Sequence, residues 1–241
     1  LKPRTLTPNI SKTSNPQPQK TRKPRTLIPN SPKTLNPNPK CPPQKPQAFN
    51  PKKRKNLKRE RREALSNNIE IEWATADVLT EDHWDAFYRF YLDTGQRKWG
   101  SPYLTRAFFS EVQETMPEDV LLIMAKREGR YIAGALNFIG ADTLFGRNWG
   151  CIEDHRFLHF EVCYYQAIEF AIEHGLKRVE AGAQGEHKLA RGYLPTETYS
   201  AHYIAHSGFK AAVDRFLGEE RAHIAEEIDY LEQFSPFRAR S

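Results

Sequence analysis

Residues 120–150 read VLLIMAKREGRYIAGALNFIGADTLFGRNWG, and this stretch decides the fold. It opens with a continuous apolar run, VLLIMA, which is typical of a strand buried on both faces. The sequences Glu128-Gly129 and Gly140-Ala-Asp142 divide the stretch into three strand-like segments. Three successive strands joined by tight turns predict an antiparallel meander.

Helices and further strands lie on both sides of this meander in the sequence. Residues 69–73 alternate as a half-buried strand, and helices are predicted to begin at Thr80 and Thr105. After the meander the pattern predicts a helix at 158–173, a short strand at 178–181, an alternating strand at 198–204 and a long amphipathic helix at 209–231. The order β, α, α, β, β, β, α, β, β, α predicts a mixed sheet covered by helices, a single α/β domain with the order of an acetyltransferase-like fold.

The composition changes near residue 62. Residues 1–62 hold 18 Lys/Arg and one acid, Glu60, for a net charge of +17, whereas the rest holds 18 basic and 29 acidic residues, for −11. Thirteen of the 17 prolines lie at or before Pro51, in a repetitive segment with few large apolar side chains. Such a segment is expected to stay disordered. We therefore predict a disordered tail over 1–51, a basic connecting helix over 52–67 and a catalytic-type domain over 68–241.

The basic tail and helix permit several interpretations. The tail could bind a polyanion, serve as a transit-like segment for organellar import, or have no function. Residues 52–66 are helix formers with few apolar side chains, which favours a solvated charged helix over an RNA-binding one. No apolar run of 18 residues and no secretory signal are found, so we expect a cytoplasmic protein without a membrane span. The three cysteines are too few for a disulfide scaffold.

The loop GAQGEHK at residues 182–188, followed by Arg191, brings together the groups that acyl transfer to an amine requires. Such a reaction needs a base, donors for the developing oxyanion and groups that hold the donor's negative charge. Two glycines three residues apart permit close approach of the backbone. The alternative is an ordinary polar surface loop. This chemistry predicts that Glu161 or His187 is the base, with Glu186 as a further catalytic candidate. Gln184 and the Gly185 amide are predicted to donate to the oxyanion. Lys188 and Arg191 are predicted to bind the negative charge of the donor.

Other candidate residues lie on the elements around this loop. Glu161 shares a partly buried helix face with Tyr165, which is typical of a functional carboxylate, although an acid at a helix start is also ordinary. Tyr199 and His202 fall on the predicted strand at 198–204 and could share a cleft with the loop. Five potential metal ligands lie near one another in the sequence, but their spacing does not match a zinc site, so no metal site is predicted. They are Cys151, His155, His159, Glu161 and Cys163.

Three stretches together resemble a known family. They are GRNWGC at 146–151, HFEVCYYQAI at 159–168 and EAGAQGEHKLARGYLP at 180–195. They are similar to the FemAB-like, peptidoglycan-biosynthesis-related N-acyltransferases of the GNAT superfamily. The similarity runs from about Lys53 to the end of the sequence, and RKNLKRERR at 54–62 looks like the basic helix that joins the two halves in that family.

The resemblance implies a GNAT-like fold, transfer of an acyl or aminoacyl group to an amine, and no metal. The standard pyrophosphate loop of acetyl-CoA enzymes is absent, so acyl-CoA is one option as co-substrate and an aminoacyl-tRNA is another. No permanently bound cofactor is expected. The resemblance supports these pocket residues: Trp149, Glu161, Tyr165, Gln184, Gly185, Glu186, His187, Lys188, Arg191 and His202.

Two alternatives stay open. Members of the family usually carry two GNAT-like halves, and the similarity covers the second, so the chain could be a catalytically inactive half or a binding module. It could also bind nucleic acid, including tRNA, through its basic arm. Surface that a single half leaves exposed could be covered in a homodimer.

Overall fold

The computed structural model describes residues 40–41, 48–97, 102–182, 186–199 and 201–237. The strands are β1 (Lys40–Cys41), β2 (Ile69–Ala74), β3 (Val120–Arg127), β4 (Arg130–Ile139), β5 (Thr143–Cys151) and β6 (Arg178–Glu180). The helices are α1 (Pro51–Ala64), α2 (Glu81–Arg97), α3 (Arg106–Thr115), α4 and α5 (Ser207–Glu232). Helix α4 joins three parts end to end: Leu158–Phe160, a π-helical turn at Glu161–Tyr165, and Gln166–Glu173. Short 3₁₀ turns lie at Ala76–Val78, Pro117–Asp119 and Glu186–Arg191.

The strands form one sheet in the order β1-β6-β5-β4-β3-β2. Neighbours from β2 to β5 are antiparallel, so the predicted meander is confirmed. Strand β6 runs parallel to β5, and the connection between them passes through α4, as a parallel pair requires. The prediction of a mixed sheet in an α/β domain is therefore confirmed.

Helices cover both faces of the sheet, and β3 explains why. Its alternate residues Leu121 and Ile123 join the cluster beneath α4, whereas Leu122 and Met124 join the cluster beneath α2 and α3. All four side chains are fully buried. A strand buried on both faces has no polar side to show, which accounts for the continuous apolar run from which the fold was predicted.

Helix α1 packs on the domain through a few residues of one face. Ala64 is buried, Glu60 and Arg61 are half-buried and turn inward, and Lys55 and Arg59 are exposed. Asn50 caps its start by accepting from the Lys53 amide at 3.0 Å. The prediction of a solvated charged helix holds only for the outer face, because the inner face carries ion pairs described below.

Of two predictions for the C-terminal part, the strand is wrong and the helix is confirmed. Residues 198–199 and 201–204 form no strand, and the alternation there places Tyr199 and Tyr203 in solvent at 90% and 94% exposure. The helix predicted at 209–231 exists as α5, yet none of its residues, all of them in the described part of the chain, is buried. An alternating or amphipathic pattern predicts what an element could bury, but in the described structure these segments leave their aromatic side chains exposed.

Most of the predicted tail lies outside the described residues. Those that are described pack against the domain: Lys40–Cys41 pairs with β6, and the Phe49 ring contacts the Phe237 ring in a tilted arrangement with centroids 4.8 Å apart. No helix in the described ranges has the length and apolarity to cross a membrane.

Candidate active site

A cavity of about 540 Å³ opens where β5 and β6 part. The two strands pair only from Thr143 to Phe145 on β5, because β6 ends at Glu180 and the chain turns away at Gly182, where φ is +71°. The rest of β5 continues to Cys151 and has no strand partner on that edge in the described part of the chain. Backbone N–H and C=O groups on an open edge can bind another molecule.

The cavity is lined from both layers of the fold. Tyr91, Thr94 and Tyr103 reach it from α2 and the segment that follows. The opposite layer contributes His159, Cys163, Tyr164, His187 and Lys188. The sheet contributes Asn137, Arg147, Asn148 and Trp149. A cavity that touches both layers passes beside the open edge of β5, so molecules can approach that edge from either face of the sheet.

A β-bulge lies beside the cavity. The register of β4 against β5 shifts between Leu136 and Asn137. Asn137 is 1% exposed, and its amide donates to the carbonyls of Leu121 at 3.4 Å and Ala135 at 3.3 Å. Bulges aim side chains at sites of function, and this one directs a buried amide to the wall of the cavity.

His187 is the predicted site residue that the structure places best for proton transfer. It lies in the 3₁₀ turn at Glu186–Arg191, lines the cavity, and its Nε2 is 3.0 Å from the Tyr164 hydroxyl. Partial burial, together with the positive charges of Arg191 and Lys188, lowers the pKa of His187 below its ordinary value. The lowered pKa favours the neutral imidazole, which is the form that can accept a proton. Burial raises the pKa of Tyr164, which stays protonated.

Lys188 also lines the cavity and is 4% exposed. Its ammonium donates to the carbonyls of Ala181 at 2.7 Å and Gly182 at 2.9 Å, so it fixes the exit of β6. Burial lowers its pKa to about 8. Lys188 therefore has a structural role, and its role of holding the donor's negative charge stays a prediction.

Glu161 lies outside the cavity, in a buried polar cluster beneath α1. Arg61 donates from Nη2 to Oε1 at 2.7 Å and from Nε to Oε2 at 3.0 Å, and Gln166 donates to Oε1 at 2.7 Å. Arg61 also pairs with Glu169. Burial alone would lower the pKa of Arg61, but its hydrogen bonds to the two carboxylates raise it. The fully buried Glu161 side chain holds α1 on α4 and does not line the cavity.

Tyr165 and Arg191 form a second cluster outside the cavity lining. The Tyr165 hydroxyl donates to Glu60 Oε2 at 2.6 Å, and Arg191 Nη2 donates to the same oxygen at 2.8 Å. Arg191 Nη1 donates to the His187 carbonyl at 2.8 Å. These two predicted binding residues instead connect α1 to the turn that carries His187.

Of the predicted set, Trp149, His187 and Lys188 line the cavity, and their roles stay predictions. Tyr199 and His202 are exposed and do not line the cavity. Gln184, Gly185 and the side chain of Glu186 lie outside the described residues.

Sequence reasoning missed four aromatic residues of the cavity wall, Tyr91, Tyr103, His159 and Tyr164, of which the last two lie on α4. Tyr164 contacts His187, and His159 packs against Trp149 with ring centroids 5.2 Å apart. The π-helical turn at Glu161–Tyr165 changes the phase of α4 in its middle. Sequence reasoning selected Glu161 and Tyr165 from this turn, whereas the residue of the turn that contacts His187 is Tyr164.

Comparison with known proteins gives a family. A family model described as FemAB-like, peptidoglycan biosynthesis/recognition, matches residues 44–239. No protein of curated function matches the sequence.

Several solved structures resemble the fold. The crystal structure of FemX is similar with a TM-score of 0.49 and 15% identity, over 72% of this chain and 56% of that chain. For L-PGS from Bacillus licheniformis the TM-score is 0.44 and the identity 9%, over 71% and 49% of the two chains. An aminoglycoside acetyltransferase from an uncultured soil metagenomic sample, in complex with sisomicin, is similar with a TM-score of 0.41 and 13% identity. The similarity covers 59% of this chain and 98% of that chain.

This chain spans about half the length of FemX and L-PGS. Because the family model covers residues 44–239, membership rests on most of the sequence and includes the cavity, α1 and α5. The chain belongs to the FemAB-like family of peptidoglycan biosynthesis and recognition.

Proposed function

We propose that this chain is an acyltransferase domain that moves an acyl or aminoacyl group from an activated donor to an amine in the cavity between β5 and β6. The position of the cavity carries the proposal: it passes beside an open strand edge and is lined from both layers. A donor and an acceptor can therefore approach from opposite faces of the sheet and meet there. Membership of a family of peptidoglycan biosynthesis and recognition supports a peptidoglycan-related acceptor.

In this proposal His187 is the general base and Tyr164 the proton donor. The acceptor nitrogen attacks the carbonyl carbon of the donor, a C–N bond forms, and the nitrogen loses a proton to His187. The C–S or C–O bond to the carrier then breaks, and the Tyr164 hydroxyl protonates the leaving group. The 3.0 Å contact with His187 returns that proton to Tyr164.

Backbone amides on the open edge of β5 beyond Phe145 would stabilise the oxyanion, because they are fixed donors beside the reacting carbonyl. Arg147 and Lys188 line the cavity, and none of the described lining residues is an acid. This suits a donor with negative charge. Acyl-CoA and aminoacyl-tRNA both carry phosphates, so the charge of the wall favours neither.

The test is transfer by the full chain from each donor class to amine-bearing acceptors, including a peptidoglycan peptide with a free side-chain amine. We expect His187→Gln to lower kcat by about 100-fold or more, the usual contribution of a positioned base. His223→Gln, at an exposed position of α5, is the matched control and should leave the rate unchanged. Retention of activity in His187→Gln would overturn the role of the base. Absence of transfer from both donors would favour an inactive half that binds without catalysis.

A further inference from the structure

Glu60 is the one acid among the 62 residues that open the sequence, and α1 turns it inward. Its Oε2 accepts from Arg191 Nη2 at 2.8 Å and from the Tyr165 hydroxyl at 2.6 Å. The side chains of Arg191 and Glu60 are only 7% and 16% exposed. A charge pair with so little solvent around it holds its geometry more firmly than a surface pair does.

The guanidinium of Arg191 has further contacts. Its Nη1 donates to the carbonyl of His187 at 2.8 Å, and its Cζ lies 3.4 Å from the centroid of the Phe160 ring. One planar group thus joins α1, α4 and the backbone of the residue that faces the cavity. Arginine suits this position because its donors form a rigid planar fork whose flat face can cover a ring, whereas a lysine ammonium is a compact charge without such a face.

We propose that Glu60 and Arg191 are positioning residues, which hold the turn at Glu186–Arg191 so that the His187 imidazole stays against Tyr164 and open to the cavity. Helix α1, whose composition predicts a connecting arm, is by this inference a part of the active site. The inference rests on the proposed function for the role of His187, but the placement of the imidazole can be measured without catalysis.

The same pair influences the charge around His187. The groups that face it are Arg191 and Lys188 on its own turn, and His159, Cys163 and Tyr164 from α4. The positive charges of Arg191 and Lys188 favour the neutral imidazole, and the Glu60 carboxylate offsets that of Arg191. Removing the Glu60 charge should therefore lower the pKa of His187 further, whereas removing the Arg191 charge should raise it.

The experiment combines histidine NMR titration of the full chain with the pH dependence of kcat. For Glu60→Gln we expect the midpoint of His187 to move to lower pH and kcat to fall about tenfold while KM for the donor stays within about twofold, since misplacement of a catalytic group lowers the rate. Arg191→Met should move the midpoint to higher pH. Arg191→Lys, which keeps the charge, should leave the midpoint nearly unchanged but fail to restore kcat.

Arg59→Gln on the exposed face of α1 is the matched control and should change neither quantity. If Glu60→Gln does not fold, Tyr165→Phe removes one hydrogen bond to Glu60 and should give a smaller loss of kcat in the same direction. Equal His187 midpoints in all variants, or an unchanged kcat in Glu60→Gln, would overturn the inference. If no donor is transferred by the unmodified chain but the midpoints move in the two expected directions, the proposed function fails and the positioning of His187 stands.

Discussion

Helices α1 and α5 both pack differently from what their sequence patterns suggest: the charged α1 is docked on the domain, and the amphipathic α5 is exposed. Helix α1 is highly charged and has one buried residue, yet Glu60 and Arg61 bond to four residues of the domain: Glu161, Tyr165, Glu169 and Arg191. Helix α5 has an amphipathic stripe and 26 residues, none of them buried among the described residues. Aromatic side chains on α5, Phe209 and Phe216, are 59% and 53% exposed.

The difference shows what a hydrophobic pattern leaves out. The pattern of a helix gives the surface it could bury, whereas packing also depends on what the rest of the fold presents to it. Two inward-facing charged residues dock α1 because α4 and the His187 turn offer Glu161, Glu169 and Arg191 as partners. Experiments can test this comparison at three positions.

The largest effect is expected at Arg61. Replacing it by Met leaves the fully buried Glu161 without its cation, and breaking one partner of a buried ion pair costs about 3 kcal/mol. Urea unfolding of the full chain measures this loss. Adding Glu161→Gln removes the stranded charge and should recover part of the stability. A loss below about 1 kcal/mol would mean that α1 is not docked by this pair.

A second test uses the pH dependence that Lys188 imposes. Its pKa is about 8 in the folded protein and about 10.4 in an unfolded chain, so the unfolded state binds more protons between these values and stability rises with pH. The rise approaches about 1.4 kcal/mol per pH unit at most. Between pH 8 and 9.5 the free energy of unfolding should increase in the unmodified chain, and the increase should be smaller in Lys188→Met. Equal slopes would show that the Lys188 ammonium is not held in a poorly solvated site.

The smallest effect is expected on α5. Phe216→Ser should change the free energy of unfolding by less than about 0.5 kcal/mol, because the ring is 53% exposed. Urea unfolding at two protein concentrations is the measurement. A loss above about 1.5 kcal/mol that grows with concentration would mean that another copy of the chain covers this face in solution.

The central sheet could be predicted because its apolar runs show which segments are buried and its turn residues show where the strands end. The run from Val120 to Ala125 is apolar on both faces, and the turn at Glu128-Gly129 uses residues that adopt positive φ of 52° and 74°. The strand predicted at 198–204 failed because a short alternation of aromatic and polar residues describes an exposed segment equally well.

The part of the candidate site that could be predicted from residue chemistry is the polar loop after β6. His187 and Lys188 lie in this loop, and their residue types indicate a polar cavity wall. Glu161 lies outside the cavity because Arg61, 100 positions earlier in the sequence, pairs with it. The partnership of Glu60 with Arg191 spans 131 positions, and no local pattern predicts a contact of that range.

The most direct test of the central claim is hydrogen exchange of the full chain with and without two stable donor analogues. One is an acyl-CoA thioether, and the other is an aminoacyl-adenosine with an amide in place of the ester. We predict that at least one analogue slows amide exchange at residues 146–149 and 186–191, where β5 and the His187 turn border the cavity, and leaves α5 unchanged. Protection confined to α5, or none at the cavity with either analogue, would contradict the assignment of acyl transfer to the space between β5 and β6.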